Sequence, residues 1–212
     1  MGYDFLIFDL DGTIVDSQRD ITSAINAVRK DFGFKPLSIE KVRSFLGSGV
    51  KALVDKAVPD SNGEILSAAL EKFKLHYFDC LTDTTVIYKG IEEMLNVLQD
   101  KKKAILSNKM EVFSYEIIKR LGLSKYFTQV WGGDTVGVKK PDPKPILDLI
   151  KKNGADLQKT IMIGDSANDI KAAKAAGIDS LAVLYGYDSG QIKEYQPDYT
   201  AETPGDIIKF VL

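Results

Sequence analysis

The chain has 212 residues, of which 44% are hydrophobic and 27% are charged, as in a globular protein with a sizeable core. The formal net charge of −2 argues against a nucleic-acid-binding surface, and no apolar run reaches the length of a membrane span. The single cysteine, Cys80, cannot form an internal disulfide, which fits a reducing compartment. The N-terminus leads directly into a strand without a signal peptide, so we expect a cytoplasmic protein that binds neither nucleic acid nor membranes.

The first element is an apolar, aromatic and β-branched run over residues 3–8, which predicts a buried strand of a parallel sheet. It ends at Asp9 and Asp11, which an extended chain would place on the same side. Two such acids repel each other unless a metal ion, a lysine or a shared proton lies between them. Gly12 lets the backbone approach a ligand, and Thr13 can hydrogen-bond the turn. The same residues would also fit an ordinary strand followed by an Asp-Gly turn.

Between residues 17 and 82, hydrophobic residues recur at helical spacing without a strand pattern, which predicts a bundle of several short helices. The segment Ser61-Asn62-Gly63-Glu64 has the form of a capping box at the start of the longest one. An insert that leaves from the carboxyl edge of a sheet is well placed to act as a lid. We therefore expect a core domain of residues 1–15 and 84–212 and a helical cap domain of residues 16–83.

After residue 90, short strands alternate with helices, which is typical of right-handed βαβ units. The predicted helices span residues 90–98, 112–121, 143–150 and 170–176, and the predicted strands span 104–107, 129–131, 160–163 and 181–184. The predicted fold class is α/β, with a Rossmann-like parallel sheet core, helices on both of its faces and an inserted α-helical cap domain. Tyr185, Tyr187, Tyr195 and Tyr199 are expected to pack the C-terminal part of the core, and His76 and Cys80 the cap.

Three later segments place chemically useful side chains at predicted strand ends. Ser107-Asn108-Lys109 brings a hydroxyl, an amide and an amine, and Lys139-Lys140 brings cations before a rigid proline turn. Asp165 and Asp169 bring two more carboxylates. Because Mg²⁺ is usually held by a few carboxylates together with phosphate oxygens and water, these acids predict a magnesium site. The candidate ligands of the ion are Asp9, Asp11 and Asp165.

Each of these segments also has a simpler explanation. Ser107-Asn108 fits a turn with a helix cap, and Lys139-Lys140 fits a solvated pair of charges. Asp169 in the first turn of a helix fits the helix dipole. The interpretation as a site depends on the whole set, because four strand-end loops together supply complementary groups.

The segments resemble, in order, the four motifs of the haloacid dehalogenase-like superfamily of phosphotransferases: Asp9-Leu10-Asp11-Gly12-Thr13, Ser107-Asn108-Lys109, Lys140-Pro141 and Gly164-Asp165-Ser166-Ala167-Asn168-Asp169. The helical insert after the first motif resembles the small cap of that superfamily. Three further segments are similar to those of phosphoglycolate phosphatases: Gly47-Ser48-Gly49, Gly132-Gly133-Asp134 and Lys140-Pro141-Asp142-Pro143.

The resemblance implies a Mg²⁺-dependent phosphatase that acts on a small phosphorylated metabolite through an aspartyl phosphate. In such an enzyme Asp9 would be the nucleophile. Asp11 would protonate the leaving alcohol, then deprotonate the attacking water, and ligate Mg²⁺ through its backbone carbonyl. Gly12 and Thr13 would lie at the substrate phosphate, where Ser107 and Asn108 would hydrogen-bond the phosphoryl oxygens.

The remaining implied roles concern charge. Lys140 would neutralise negative charge near the nucleophile. Asp165 would bind Mg²⁺, and Asp169 would assist directly, through water or through Lys140. In the cap, the N–H groups of Gly47-Ser48-Gly49 are candidates to bind a substrate carboxylate, with Arg43 assisting. An ordinary loop between helices explains that segment equally well.

Within the superfamily, Asp11 argues against dehalogenase activity, and Ile21 stands near the place where a β-type phosphoglucomutase would carry a histidine. The favoured substrate is 2-phosphoglycolate. The alternatives are a pyrophosphatase, a nucleotide or sugar-phosphate phosphatase, and a non-catalytic phosphate-binding regulatory module on the same fold. The oligomeric state is expected to be a monomer or a homodimer.

Overall fold

A computed structural model of the chain describes residues 2–59, 63–188, 190 and 192–212. Their contacts divide the chain into two compact units, one that runs to Asp16 and resumes from Ile87 to Leu212, and one of Ser17–Val86. The first unit contains the parallel sheet and the second is helical. None of the described helices has the length and apolarity needed to cross a bilayer.

The strands are β1 (Phe5–Phe8), β2 (Val15–Asp16), β3 (Val86–Ile87), β4 (Lys102–Leu106), β5 (Gln129–Trp131), β6 (Thr160–Gly164), β7 (Asp179–Val183) and β8 (Tyr199–Ala201). Six of them form one parallel sheet in the order β5-β4-β1-β6-β7-β8, and β2 pairs with β3 in a separate two-stranded sheet. The strand β1 is therefore central. Its last residue, Phe8, is in register with Ile105 of β4 and Ile163 of β6.

The helices are α1 (Gln18–Asp31), α2 (Ile39–Arg43), α3 (Val50–Ala57), α4 (Gly63–Cys80), α5 (Ile91–Val97), α6 (Glu111–Arg120), α7 (Lys144–Asn153), α8 (Ala167–Ala176) and α9 (Pro204–Val211). All four residues of β1 are fully buried. Phe5 and Ile7 pack into a cluster that includes Ile146 of α7 and Ala173 of α8. Because side chains alternate along a strand, the buried Leu6 and Phe8 face the opposite side of the sheet. Both faces of the sheet are covered, which explains why the strand is apolar throughout.

The helical unit buries the apolar stripe of α1, including Ile21, Ile25 and Val28, as the helical spacing predicts. A polar contact joins the segment that enters this unit to the segment that leaves it. The buried carboxylate of Asp20 accepts hydrogen bonds from the backbone N–H groups and the hydroxyls of Thr84 and Thr85. The segment that returns from α4 is thus fixed to the first turn of α1.

The predicted fold class is confirmed. The sequence missed the short pair β2–β3, the edge strand β8 and the terminal helix α9. The helix predicted over residues 143–150 continues to Asn153, and the one predicted over 170–176 already begins at Ala167. The capping residues Ser61 and Asn62 lie outside the described residues. In the helical unit, His76 Nε2 lies 3.2 Å from Asp31 Oδ2, and Cys80 is half-buried.

Candidate active site

The polar segments that follow β1, β4 and β6 meet at the carboxyl edge of the sheet, because these three strands are neighbours. Asp9 follows β1, and its backbone N–H donates to the carbonyl of Ile163 in β6 at 2.8 Å. Ser107 follows β4, and Asp165 follows β6. The strand order alone therefore brings together side chains that are more than 150 positions apart in the chain.

The centre of this edge is a cluster of three carboxylates around one lysine. Oxygens of Asp9, Asp165 and Asp169 lie within 4.8 Å of one another. The Nζ atom of Lys140 lies 2.9 Å from Asp9 Oδ1 and 2.6 Å from Asp169 Oδ1, and it also donates to the carbonyl of Leu106 at 2.5 Å. Lys140 is only 2% exposed and Asp169 is fully buried. Three acids share a single ammonium, so the cluster has an excess of negative charge.

The pKa values of the cluster reflect first its burial and then its excess of negative charge. Burial raises the pKa of Asp9 to about 7, against the opposing effect of Lys140 and with a further contribution from Asp169. Burial also raises the pKa of Asp165 well above its usual range, and the charge of Asp9 acts in the same direction. For Lys140, burial would lower the pKa, but the adjacent Asp169 and Asp9 outweigh it and raise the pKa. The single charge of Lys140 therefore does not compensate the carboxyl groups of Asp9 and Asp165.

This donor set fits a hard divalent cation. All three groups offer carboxylate oxygens, and a dication would offset the negative charge that Lys140 leaves uncompensated. Lys140 is the ion-pair partner of the Asp9 carboxylate at 2.9 Å, and its single charge also serves Asp169.

Asp169 is engaged by protein groups on both of its oxygens. Oδ1 accepts from Lys140, and Oδ2 accepts from the backbone N–H and the hydroxyl of Ser166 in a capping box at the start of α8. Gly164 makes room for it, since a Cβ at that position would lie 2.3 Å from Asp169 Cγ. Asp169 thus caps α8 and holds Lys140 at the same time, which combines two explanations that the sequence left open.

The side chain of Asp11 lies outside the cluster. Among the described residues, the cluster consists of Asp9, Asp165 and Asp169. The Oδ1 atom of Asp11 lies 2.8 Å from Nζ of Lys109. The ligation of the ion by Asp11, which the resemblance assigns to the backbone carbonyl, stays a prediction. The chain turns after Asp9 instead of staying extended. Gly12 has a φ of +83° and its N–H donates to the carbonyl of Val15.

Ser107 and Asn108 are held beside the cluster. Ser107 is 3% exposed, and its hydroxyl accepts from the N–H of Lys109 at 3.2 Å. The side-chain amide of Asn108 donates to the carbonyl of Lys140 at 2.8 Å, which connects the loop after β4 to the one that carries the lysine. The hydroxyl of the fully buried Thr13 has no hydrogen-bond partner among the described residues.

The candidate cap residues lie in the helical unit. Arg43 ends α2, and its Nε donates to Oε1 of Gln18 at 2.7 Å. Gly47, Ser48 and Gly49 connect α2 to α3, and the φ angles of the two glycines are +88° and +84°. Left-handed angles of this kind favour glycine in a tight loop.

The loop after β7 was not assigned to the site from the sequence, yet it contacts the site directly. The backbone N–H of Tyr187 donates to Oδ2 of Asp165 at 2.7 Å, and the hydroxyl of Tyr185 donates to the carbonyl of Thr13 at 3.0 Å. The sequence carries no distinctive signal for this contact, because a backbone N–H makes the hydrogen bond to Asp165.

The comparisons with known proteins agree with this arrangement. The family model described as haloacid dehalogenase-like hydrolase matches residues 6–183, and the chain belongs to this family. A protein named phosphoglycolate phosphatase from Aquifex aeolicus is 36% identical over 208 residues, which cover 97% of this chain and 95% of the relative. Another of that name from Colwellia psychrerythraea is also 36% identical, over 96% of this chain and 94% of the relative.

A solved structure has the same fold over its full length. The crystal structure described as a "predicted phosphoglycolate phosphatase" from Haemophilus somnus superposes with a TM-score of 0.94 at 28% identity. The match covers 99% of this chain and 98% of the other. The resemblance to the haloacid dehalogenase-like superfamily, drawn from four short motifs, is thereby confirmed.

Proposed function

We propose that the chain is a Mg²⁺-dependent phosphatase that hydrolyses a small phosphate monoester, with 2-phosphoglycolate as the favoured substrate. The observation that carries the proposal is the cluster of Asp9, Asp165 and Asp169 around the buried Lys140 at the carboxyl edge of the sheet. Relatives named phosphoglycolate phosphatase, 36% identical over nearly the whole chain, support the choice of substrate.

Asp9 acts as the nucleophile in this mechanism. Lys140, whose Nζ lies 2.9 Å from Oδ1, holds the carboxylate in place while one of its oxygens attacks phosphorus. The attack gives an aspartyl phosphate and releases the alcohol, which divides a difficult hydrolysis into two easier steps. A phosphate dianion can approach this carboxylate only if positive charge screens the repulsion.

The positive charge has two sources. Lys140 supplies one unit directly beside Asp9. Mg²⁺, held by the side chains of Asp9 and Asp165 and the backbone carbonyl of Asp11, would supply the rest by neutralising charge on the transferring phosphoryl group. Ser107 and Asn108 orient the phosphoryl oxygens by hydrogen bonding. Asp169 keeps Lys140 in position through Oδ1.

Asp11 transfers the protons. It donates one to the leaving oxygen in the first step and takes one from the attacking water in the second, so a single carboxyl serves both steps. Lys109, 2.8 Å away, fixes its orientation. In the cap, Arg43 and the N–H groups of Gly47-Ser48-Gly49 are proposed to bind the carboxylate of the substrate.

The test is a panel of phosphate esters assayed with Mg²⁺ and again with EDTA. The panel contains 2-phosphoglycolate, pyrophosphate, nucleoside monophosphates and hexose phosphates. We expect phosphate release from 2-phosphoglycolate that stops when EDTA removes the metal. If the chain prefers pyrophosphate, a nucleotide or a sugar phosphate, the proposed phosphatase reaction stands and the proposed substrate is wrong.

Two variants complete this test. Asp9→Asn should abolish turnover without loss of the fold, whereas Asp148→Asn on the exposed side of α7 should leave turnover unchanged. A chain that binds phosphate but hydrolyses no ester of the panel in Mg²⁺ would instead be a non-catalytic module. Turnover that persists in Asp9→Asn would reject this residue as the nucleophile.

A further inference from the structure

The loop after β7 makes several contacts with the site. We name residues Tyr185, Gly186 and Tyr187 the tyrosine loop. The backbone N–H of Tyr187 donates to Oδ2 of Asp165 at 2.7 Å. The hydroxyl of Tyr185 donates to the carbonyl of Thr13 at 3.0 Å. The loop therefore spans two separate site segments, one after β1 and one after β6.

Gly186 lies against both of these segments. A Cβ at this position would lie 2.3 Å from Cβ of Asp165, 2.6 Å from its Oδ2 and 2.5 Å from the carbonyl oxygen of Gly12. Contacts this short cannot be accommodated without a shift of the backbone or of Asp165. Gly12 is packed equally closely, since a Cβ there would lie 2.0 Å from the same Oδ2. Two glycines therefore pack directly against the Asp165 carboxylate.

The tyrosine side chains anchor the loop. The ring of Tyr185 packs against Tyr88, with centroids 5.0 Å apart. Burial raises the pKa of the Tyr185 phenol, so it stays protonated and able to donate to Thr13. The hydroxyl of Tyr187 donates to Oδ1 of Asp16 at 3.2 Å, in the last residue of the sheet unit before the helical unit begins.

We infer that the tyrosine loop is a fifth element of the site, and that it positions the Asp165 carboxylate for the metal ion. The inference rests on the proposed function, because it assumes that Asp165 is a metal ligand. The N–H of Tyr187 binds Oδ2, so Oδ1 is the oxygen proposed to bind the cation. A ligating carboxylate that is fixed by a hydrogen bond loses less freedom on metal binding, and therefore binds more tightly.

The direct test is Mg²⁺ binding by isothermal titration calorimetry to the metal-free chain, for which no substrate is needed. We expect Gly186→Ala to raise the Kd for Mg²⁺ tenfold or more, because the added methyl displaces Asp165. The matched control is Gly190→Ala, in the same connection after β7, where a Cβ would meet nothing within 4 Å. It should bind Mg²⁺ as the wild type does.

Tyr185→Phe is a milder variant that keeps the ring and removes one hydrogen bond. We expect its Kd for Mg²⁺ to rise threefold or more, with kcat restored when Mg²⁺ is raised to saturation. A general loss of structure would not be rescued by the metal. If Gly186→Ala does not fold, judged by its circular dichroism, the result for Tyr185→Phe decides the matter.

The outcomes separate the two proposals. A wild type that binds Mg²⁺, together with a folded Gly186→Ala or a Tyr185→Phe of unchanged Kd, overturns the role of the loop and leaves the proposed function intact. A wild type that binds no Mg²⁺ contradicts the proposed function, and with it the premise that Asp165 is a ligand to be positioned.

Discussion

The Nζ atom of Lys109 lies 2.8 Å from Oδ1 of Asp11, and the two side chains are only 7% and 19% exposed. Lys109 follows β4 and Asp11 follows β1, so this ion pair connects the ends of two neighbouring strands. Charged hydrogen bonds that are shielded from water are short and strong, and they restrict both side chains. The group proposed to transfer protons is therefore oriented by a lysine to which the sequence assigned no role.

Replacing Lys109 tests this orientation. We expect Lys109→Met to lower kcat/KM about ten- to hundredfold, because a hydrogen bond between charged groups contributes ~1.5–3 kcal/mol. The measurement is the steady-state rate with 2-phosphoglycolate or another ester that the chain hydrolyses. Lys151→Met, on the exposed side of α7, is the matched control and should have no effect. Equal kcat/KM in the wild type and Lys109→Met would show that the pair is not needed for the reaction.

Asp11→Asn separates the two chemical steps. Loss of a general acid and base slows a reaction by roughly 10²–10⁴-fold. With p-nitrophenyl phosphate, whose leaving group needs little protonation, we expect the first step to persist and the second to slow. Stopped-flow absorbance should then record a burst of p-nitrophenol followed by a slow phase. If the steady-state rate is unaffected for both this ester and an alkyl phosphate, the proton transfers belong to another residue.

Asp20 should be important for the stability of the helical unit. Its carboxylate is 1% exposed and accepts hydrogen bonds from N–H and hydroxyl groups of Thr84 and Thr85. Asp20→Ala leaves these buried donors without a partner, which should lower the free energy of unfolding by ~2–4 kcal/mol. Urea denaturation measures the change, and Asp55→Ala, at an exposed position of α3, should stay within ~0.5 kcal/mol of the wild type. A similar small effect for Asp20→Ala would mean that water replaces the lost contacts.

Asp9→Asn should stabilise the metal-free chain above neutral pH. Burial raises the pKa of Asp9 to about 7, whereas the pKa of an aspartate in the unfolded chain is ~3.9. An aspartate whose folded pKa is raised favours folding at low pH, and it opposes folding once the pH is high enough to ionise it. A tenfold change in an acid dissociation constant between the folded and unfolded states corresponds to about 1.4 kcal/mol. In EDTA at pH 8 the variant should therefore gain ~1–4 kcal/mol in the free energy of unfolding.

The pH dependence provides the control for Asp9→Asn. The gain should shrink as the pH falls from 8 towards 4, because the wild-type carboxyl becomes protonated and the cost of its buried charge disappears. It should also shrink in excess Mg²⁺, which would bind the wild type more tightly than the variant. A variant that is less stable than the wild type at pH 8 in EDTA would mean that the attraction between Asp9 and Lys140 exceeds the cost of burial.

The central part of the sheet could be predicted from the sequence for a physical reason. A strand covered on both faces must be apolar throughout, so β1 and β6 are recognisable as short apolar runs that end abruptly at acids. In a parallel sheet such ends share one edge, which is why Asp9 and Asp165 could be expected near each other without knowledge of the coordinates.

Other elements could not be recognised in this way, or their signals were overlooked. The strands β2 and β3 have two residues each, too few for an alternating pattern, and the edge strand β8 has an exposed threonine at its centre in place of an apolar run. The helix α9, in contrast, carries a capping box of Thr203 and Asp206 with Pro204 at its first turn, a signal that sequence reasoning could have used.

The contacts that refine the site depend on tertiary structure. Lys109 meets Asp11 because the chain turns after Asp9 and the ends of β1 and β4 are neighbours, and spacing along the sequence does not determine that turn. The tyrosine loop reaches Asp165 mainly through a backbone N–H and through the absence of a side chain at Gly186. Neither feature carries a distinctive residue pattern, so both become visible only once the strands are assembled.

The most direct test of the central claim is to trap the covalent intermediate. The chain is mixed with 2-phosphoglycolate and Mg²⁺, quenched during turnover, treated with borohydride and analysed by peptide mass spectrometry. Borohydride reduces an aspartyl phosphate to homoserine, so we predict homoserine at position 9 in the wild type and none in a sample incubated without substrate. Active turnover that leaves Asp9 unmodified, or modification of a different carboxylate, would contradict the account.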